Sequence, residues 1–189
     1  MSTTLPNVRP VHIRKDDYHL TQFEENDTSA IVSWVRDDRE LFWLAPKTPP
    51  PLTAAKILAW RIPGGCPLAF YYEGNDGDIL CGYVELNPMP AIPGHLWMGH
   101  CLVRPDLRGS GVGKLMVQLM LREAFWQRRA RAVSLVVFPD NIPAIRCYSA
   151  VGFRHVGEQT KFFPTTGRQH CMLEMQITSG EYRKSQPSS

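Results

Sequence analysis

The sequence of 189 residues predicts an α/β (α+β) fold in a single domain with a mixed central sheet. This sheet is expected to begin as an antiparallel meander, to continue through a βαβ crossover and to carry flanking helices. Three observations predict it. Strand-like segments follow one another between residues 68 and 103, an amphipathic stretch then leads into an apolar strand between 112 and 138, and a short helix with two further strands follows before 180.

The N-terminal part of the domain is predicted to hold one strand and two helices. Residues 18–23 (YHLTQF) read as a strand, and a polar cap at 26–28 precedes apolar residues at helical spacing. A second short helix is expected from Thr53. Between these helices, residues 41–52 are expected to form a stiff connection without regular structure, because they contain Pro46, Pro49, Pro50 and Pro51.

The middle of the chain predicts the meander and the crossover. The turn formers EGNDGD separate two β-rich segments, which indicates a hairpin, and HLWMGHCLV is expected to be the next strand. From Val112, apolar residues recur three and four apart, as in an amphipathic helix. The segment AVSLVVF is short and apolar enough to be a strand buried on both faces. Strand, helix and strand in this order imply a parallel connection.

The C-terminal part is predicted to add a helix and a closing pair of strands. Asp140 or Asn141 is expected to cap the helix, Pro143 suits its first turn, and Gly152 suits its end. We expect an N-terminal extension over 1–17, the domain over 18–180, and a flexible tail over 181–189.

The composition and charge of the chain indicate which partners and which cellular location to expect. The formal net charge is +3, and seven basic but only two acidic residues fall between 104 and 131. Because Arg128, Arg129 and Arg131 fall at a predicted helix C-terminus, we expect no nucleic-acid partner. The sequence shows neither a membrane span nor a secretory signal, so a cytoplasmic location and no membrane partner are expected. Its five cysteines form no C-x-x-C pair, so neither a disulfide framework nor a metal site is expected.

The strongest chemical signal is a glycine-rich turn between a strand and a helix. Glycines at 109, 111 and 113 let backbone amides approach a ligand, and the helix start adds the positive end of its dipole. The turn therefore predicts an anion site. A P-loop is a weak match because three residues, and not four, separate the outer glycines, and a dinucleotide motif is weak because it would need Gly where Lys114 or Met116 stands.

This turn resembles the acyl-CoA loop of the GCN5-related N-acetyltransferase (GNAT) superfamily, with the preceding V-x-P present as Val103 and Pro105. A second motif of that superfamily follows on the next strand and helix. The matching residues are Arg108, Gly109, Ser110, Gly111, Val112 and Gly113 in the first motif and Asn141, Ala144, Tyr148, Gly152 and Phe153 in the second.

The resemblance implies a fold, an activity and most of a site. It implies a GNAT-like domain that uses acetyl-CoA as co-substrate and transfers acetyl directly to an amine. Backbone groups of Leu102 and Val103 would bind the pantetheine arm, amides from Arg108 to Lys114 would cradle the pyrophosphate, and Asn141 would contribute to the same site. Tyr148, with a reference pKa near 10, would donate a proton to the leaving thiolate as general acid.

The general base is left open by the sequence. An alkylammonium must lose a proton before it can attack, yet HLWMGHCLV contains no carboxylate. Glu85, His100 and His95 are the alternatives. Strand alternation places His100 with Met98 and Leu102, unless a bulge changes its orientation.

The acceptor is expected to be a small-molecule or peptide amine. Family loops that commonly recognise it correspond here to 41–52, with Phe42 and Trp43, and to 159–168. A homodimer is a further expectation from relatives. The competing hypothesis is a catalytically inactive CoA-binding sensor or interaction module of the same fold, motivated by the missing carboxylate.

Overall fold

A computed structural model describes residues 15–185, and every statement about the structure refers to that part of the chain. Of the extension predicted over 1–17, only Lys15–Asp17 are described, as a single 3-10 turn that leads into the first strand.

Seven strands form one sheet in the order β1-β2-β3-β4-β5-β7-β6. Neighbouring strands are antiparallel except for β4 and β5, which run parallel. The predicted mixed sheet, N-terminal meander and crossover are therefore confirmed. The strands are β1 (Tyr18–Gln22), β2 (Cys66–Gly74), β3 (Gly77–Pro88), β4 (His95–Val103), β5 (Ala132–Val137), β6 (Arg154–Phe163) and β7 (Arg168–Thr178).

Helices cover both faces of this sheet. They are α1 (Thr28–Trp34), α2 (Asp38–Leu44), α3 (Ala54–Leu58), α4 (Val112–Arg122), α5 (Ile142–Ala150) and α6 (Ser179–Ser185). Thr53 and Asn141 cap α3 and α5 by accepting backbone N–H groups, as the sequence predicted.

The start of the predicted irregular connection is wrong. Residues 41–44 belong to α2, because the Asp37 side chain accepts the N–H of Glu40 at 2.8 Å and starts a helix that the sequence reading missed. The prolines, which begin at Pro46, prevent regular structure only after Ala45, where the helix has already ended.

Two hydrophobic clusters sandwich the sheet. Phe70 and Val84 point toward α4 and α5, whereas their neighbours Ala69 and Tyr83 point toward α1 and α3. Strand β3 is buried on both faces for this reason. Gly82 is required at the crossing of α4, since a Cβ there would lie 2.5 Å from Met116 Sδ and 3.1 Å from the carbonyl oxygen of Leu102.

The predicted tail over 181–189 is also wrong in its first part. Residues 179–185 form α6, which starts where Thr178 donates its N–H to Glu181 Oε2 at 2.9 Å. Tyr182 is 6% exposed and packs its ring 4.9 Å from that of Phe125. This apolar anchor holds the segment on the domain; residues 186–189 lie outside the described part.

Neither a membrane-spanning helix nor a metal-binding group is present among the described residues. Between 15 and 185, no helix has the length and apolar character that a membrane crossing needs. Within the same range, His, Cys, Asp and Glu side chains form no group of three that could hold a metal ion.

Candidate active site

A cleft opens where two parallel strands separate. Strands β4 and β5 pair only over His95–Trp97 and Ala132–Ser134. Beyond these pairs the strands diverge around a cleft of about 870 Å³, lined by residues 98–103 of β4 and 135–137 of β5. Buried Ser134 closes the base, since its Oγ lies 2.8 Å from His95 Nε2 and accepts the amide of Gln176 at 3.1 Å. His95 therefore lies at the closed end of the strand pair.

A bulge in β4 changes the direction of the cleft wall. Tyr83 pairs with Leu102 and Glu85 pairs with Gly99, so two steps along β3 face three along β4. The extra residue lies in the part of β4 that contains His100, which adopts a φ of 23°. His100 is thereby turned toward Glu85, an orientation that regular strand alternation does not predict.

The glycine-rich turn forms one end of the cleft. Gly109 and Gly111 have φ values of 76° and 95°, which a residue with a Cβ adopts only with strain. Leu115 donates its N–H back to the carbonyl of Gly111 at 3.1 Å, so the amides from Gly109 to Lys114 precede the first bond of that kind. Those amides and the positive end of the α4 dipole suit a phosphate group. The residues present therefore fit the pyrophosphate of a coenzyme A donor.

The Arg108 side chain is committed to protein contacts. Its guanidinium donates to the Val103 carbonyl at 2.9 Å, to Glu40 Oε1 at 2.7 Å and to the Trp34 carbonyl at 2.9 Å. Arg36 also donates to Glu40, at 2.8 Å from its Nε. Burial would raise the pKa of Glu40, but these arginines hold it below its ordinary value. Arg108 thus anchors the turn, and a role in holding the donor is left to its backbone.

Tyr148 faces the cleft from α5, seven residues after the Asn141 cap. It is 8% exposed and lies beside the thiols of Cys101 and Cys147. Burial, these thiols and a hydrogen bond with Cys101 raise the pKa of Tyr148 well above its ordinary value. The phenol consequently keeps its proton over the physiological pH range.

The two cysteines beside Tyr148 are poor nucleophiles. Burial, with the neighbouring Cys147, raises the pKa of the Cys101 thiol to about 12. Burial also raises the pKa of Cys147, although Lys114 opposes this. Because the thiolate is the reactive form, neither residue is set up for a covalent acyl intermediate.

Glu85 lies at the centre of a buried polar cluster behind β4. Only 2% of it is exposed, and its carboxylate accepts hydrogen bonds from the Tyr83 hydroxyl and, at 3.0 Å, from Asn87 Nδ2. Oε2 also lies 2.9 Å from His100 Nδ1. Burial would raise the pKa of Glu85, but the bond with His100 and those from Tyr83 and Asn87 hold it below its ordinary value. Two of the three candidate bases thus meet each other.

This cluster predicts how stability depends on pH. Since the pKa of Glu85 is depressed in the fold, its stabilising contribution is complete above the ordinary value of about 4.5 and is lost as pH falls through the lower folded value. We expect the melting temperature of Glu85→Gln to fall less steeply below about pH 4.5 than that of the wild-type protein. Thermal unfolding followed by circular dichroism across that range measures both slopes. Equal slopes would show that Glu85 is not ionised in the fold.

The two residues predicted to contact the acceptor, Phe42 and Trp43, lie in different surroundings. Trp43 lines the cleft, donates its Nε1 proton to Asp140 at 3.1 Å and is covered by the Arg39 guanidinium, 4.6 Å from its ring centre. Phe42 instead packs against Phe138, with ring centres 4.8 Å apart, in a separate apolar cluster. Phe42 therefore does not line the cleft beside Trp43, because successive residues of α2 point in different directions.

Several residues that line the cleft were not predicted from the sequence, and one basic residue near the glycine-rich turn is already paired with an acid. Arg36 reaches the cleft from the loop between α1 and α2 and Glu40 reaches it from α2, while Arg146 and Cys147 reach it from α5. Pro143 and Arg146 are three residues apart, a spacing that places both on one face of a helix, and this could have indicated that they line the cleft together. Arg104, one of the seven basic residues between 104 and 131, is paired with Asp106 at 2.7 Å.

Comparisons with known proteins agree with this geometry. The chain is 28% identical over 97 residues to the spermine/spermidine N(1)-acetyltransferase of Bacillus subtilis, a match over 49% of this chain and 61% of that relative. It is 29% identical over 102 residues to the N-alpha-acetyltransferase RimI of Mycobacterium tuberculosis, over 53% of this chain and 62% of that relative. The aligned part thus spans less than two thirds of the length of these relatives.

A solved structure shares the fold along nearly the whole chain. The spermidine N-acetyltransferase of Vibrio cholerae in complex with CoA and spermine superposes with a TM-score of 0.72 and 18% identity, covering 89% of this chain and 99% of that one. The family model for the acetyltransferase (GNAT) family matches residues 13–153, which include the glycine-rich turn, the diverging strands and Tyr148. The chain belongs to the acetyltransferase (GNAT) family.

Proposed function

We propose that this protein transfers an acetyl group from acetyl-CoA to a primary amine by direct attack in a ternary complex. The observation that carries the proposal is the cleft itself. An anion-binding turn, the free edges of two diverging strands and a buried, protonated tyrosine all open on the same space.

Donor binding is assigned to backbone groups. The amides from Gly109 to Lys114 would hold the pyrophosphate, while the β4 edge at Leu102 and Val103 would bind the pantetheine arm. Lys114 and Arg146 line the same cleft and favour an anionic ligand. Bound there, acetyl-CoA would supply an activated thioester, and a backbone N–H near Leu102 would polarise its carbonyl.

Proton donation to the leaving sulfur is assigned to Tyr148. The same burial that raises the pKa of the phenol also makes a thiolate beside it more basic, so the sulfur needs the proton as its charge develops. Direct attack by the amine is favoured over an acyl-cysteine, because the thiol pKa values of Cys101 and Cys147 are raised.

For the acceptor, a small polyamine or a peptide N-terminus is the proposed class. One set of relatives is named for spermine and spermidine and another for protein N-termini. The Trp43 ring on the cleft wall offers an apolar surface beside the acceptor amine.

A CoA-binding module without activity is the second candidate, because β4 carries no carboxylate. A thiol-release assay separates the two. Acetyl-CoA is supplied with spermidine, spermine, a peptide with a free N-terminus or no amine, while calorimetry measures acetyl-CoA binding. We expect amine-dependent thiol release with at least one acceptor. Saturable binding without release from any amine would favour the inactive module, and no binding would contradict both.

A further inference from the structure

A buried charge near the cleft has no part in the donor site. Glu85 is 2% exposed and ionised, and a buried ion is costly unless it is fully paired. Its partners are Tyr83, Asn87 and His100. The space it needs comes from Gly99, where a Cβ would lie 3.1 Å from Glu85 Oε2. The backbone therefore makes room for this carboxylate behind the bulged strand.

His100 is held over Glu85 in a strained conformation. Its φ of 23° costs energy for a residue with a side chain, and such strain persists only where surrounding contacts fix it. Two contacts do so. Trp60 stacks on the imidazole with ring centres 4.1 Å apart and planes 13° apart, and Glu85 Oε2 lies 2.9 Å from Nδ1.

The orientation of the imidazole follows from its accessible surface. Nδ1 is buried and has no partner that meets hydrogen-bond geometry, so its approach to Glu85 Oε2 at 2.9 Å is an electrostatic contact. The side chain is nevertheless 23% exposed and lines the cleft. Of the two ring nitrogens, only Nε2 can therefore face the cleft. A proton on Nδ1, favoured by the carboxylate, leaves the lone pair on Nε2.

We propose that His100 accepts the proton of the incoming alkylammonium and that Glu85 is its positioning residue. This proposal rests on the proposed function and adds to it the base that the sequence left open. Glu85 Oε2 from β3 and the Trp60 ring after α3 contact the imidazole, and Tyr83 joins this cluster through its bond to Glu85, which places a negative charge beside the ring. That charge stabilises the imidazolium formed by the transfer.

The protons balance in this scheme. The ammonium gives one proton to His100 Nε2, and the freed lone pair forms the N–C bond to the thioester carbonyl carbon. As the C–S bond breaks, Tyr148 donates its proton to sulfur and recovers one from the nitrogen, which becomes the amide. His100 then releases its proton to solvent, so one proton leaves per turnover.

The test uses substitutions that the backbone tolerates. His100→Gly suits a φ of 23° and leaves a cavity beside Trp60 that free imidazole can enter. Glu85→Gln replaces the charged carboxylate with a neutral amide of similar size. His95→Gln is the matched control, a histidine of the same strand that bonds to Ser134 at the closed end. Turnover is measured with acetyl-CoA and the amine that the wild-type protein acetylates fastest among spermidine, spermine and the peptide.

We expect His100→Gly to lower kcat roughly ten- to a hundredfold, with the KM for acetyl-CoA within about threefold of wild type. Added imidazole should restore much of the lost kcat in His100→Gly. Glu85→Gln should lose roughly tenfold in kcat, and added imidazole should restore none of that loss. His95→Gln should match the wild type.

Each outcome bears on one proposal in a defined way. A folded His100→Gly with wild-type kcat would overturn the role of His100 while leaving the acetyltransferase assignment intact. Loss of kcat without imidazole rescue would reduce His100 to a structural role. A wild-type protein that releases no thiol with any of the amines would overturn both.

Discussion

Replacing Tyr148 with Phe is expected to lower kcat by roughly ten- to a thousandfold, while acetyl-CoA still binds. Phe keeps the ring that packs in the core beside Phe153 but removes the hydroxyl proton. Because the leaving group would then depart as a free thiolate in a buried site, the loss should fall on the chemical step. Steady-state kinetics give kcat, and calorimetry gives the dissociation constant for acetyl-CoA.

The matched control is Tyr182→Phe. Tyr182 is 6% exposed, against 8% for Tyr148, but it packs on Phe125 in the C-terminal helix. It should retain wild-type kcat. If Tyr148→Phe also retained wild-type kcat, Tyr148 would have no part in the reaction and another group would have to supply the proton.

Replacing Arg108 with Ala is expected to lower the free energy of unfolding by about 3 kcal/mol, more than a hundredfold in the equilibrium constant. The substitution removes the donor for two backbone carbonyls, those of Val103 and Trp34, and one partner of Glu40. The Arg108 side chain is 28% exposed and that of Glu40 13%, so water compensates only partly. The melting temperature should fall by about 6–12 °C.

Arg36→Ala is the control for this prediction. Arg36 is the other partner of Glu40, but its side chain is 64% exposed. Exposed ion pairs are screened by solvent and contribute little to stability, so its loss should change the melting temperature little. Denaturant unfolding of the two variants in parallel measures the difference. Equal losses would mean that the carbonyl bonds of Arg108 contribute nothing to stability.

The parts of the fold that the sequence predicted are those specified by local patterns. The meander follows from turn residues between β-rich segments, and the crossover from a change of hydrophobic period at Val112. The glycine-rich turn was recognisable because its glycines take φ values that other residues avoid. In each case the residues that specify the structure are close together in the chain.

The parts that were missed depend on contacts between distant segments. The Arg108 guanidinium bonds to residues 68 and 74 positions away, so its role in anchoring the turn could not be predicted from the loop sequence. The bulge that turns His100 toward Glu85 depends on the register between β3 and β4, which strand alternation does not encode. Helices α2 and α6 could not be predicted from their composition. The Asp37 side chain caps the start of α2, and the buried ring of Tyr182 holds α6 on the domain.

The short parallel pairing at the base of the cleft has a mechanical consequence. Strands β1 to β4 form one half-sheet and β5 to β7 another, and three residue pairs join them edge to edge. Every other seam of the sheet is longer. Compliance is therefore concentrated at one hinge line beside Ser134. The energy needed to widen the cleft for a bulkier thioester depends on these three pairs and on the helix packed across them, and not on the strength of the sheet as a whole.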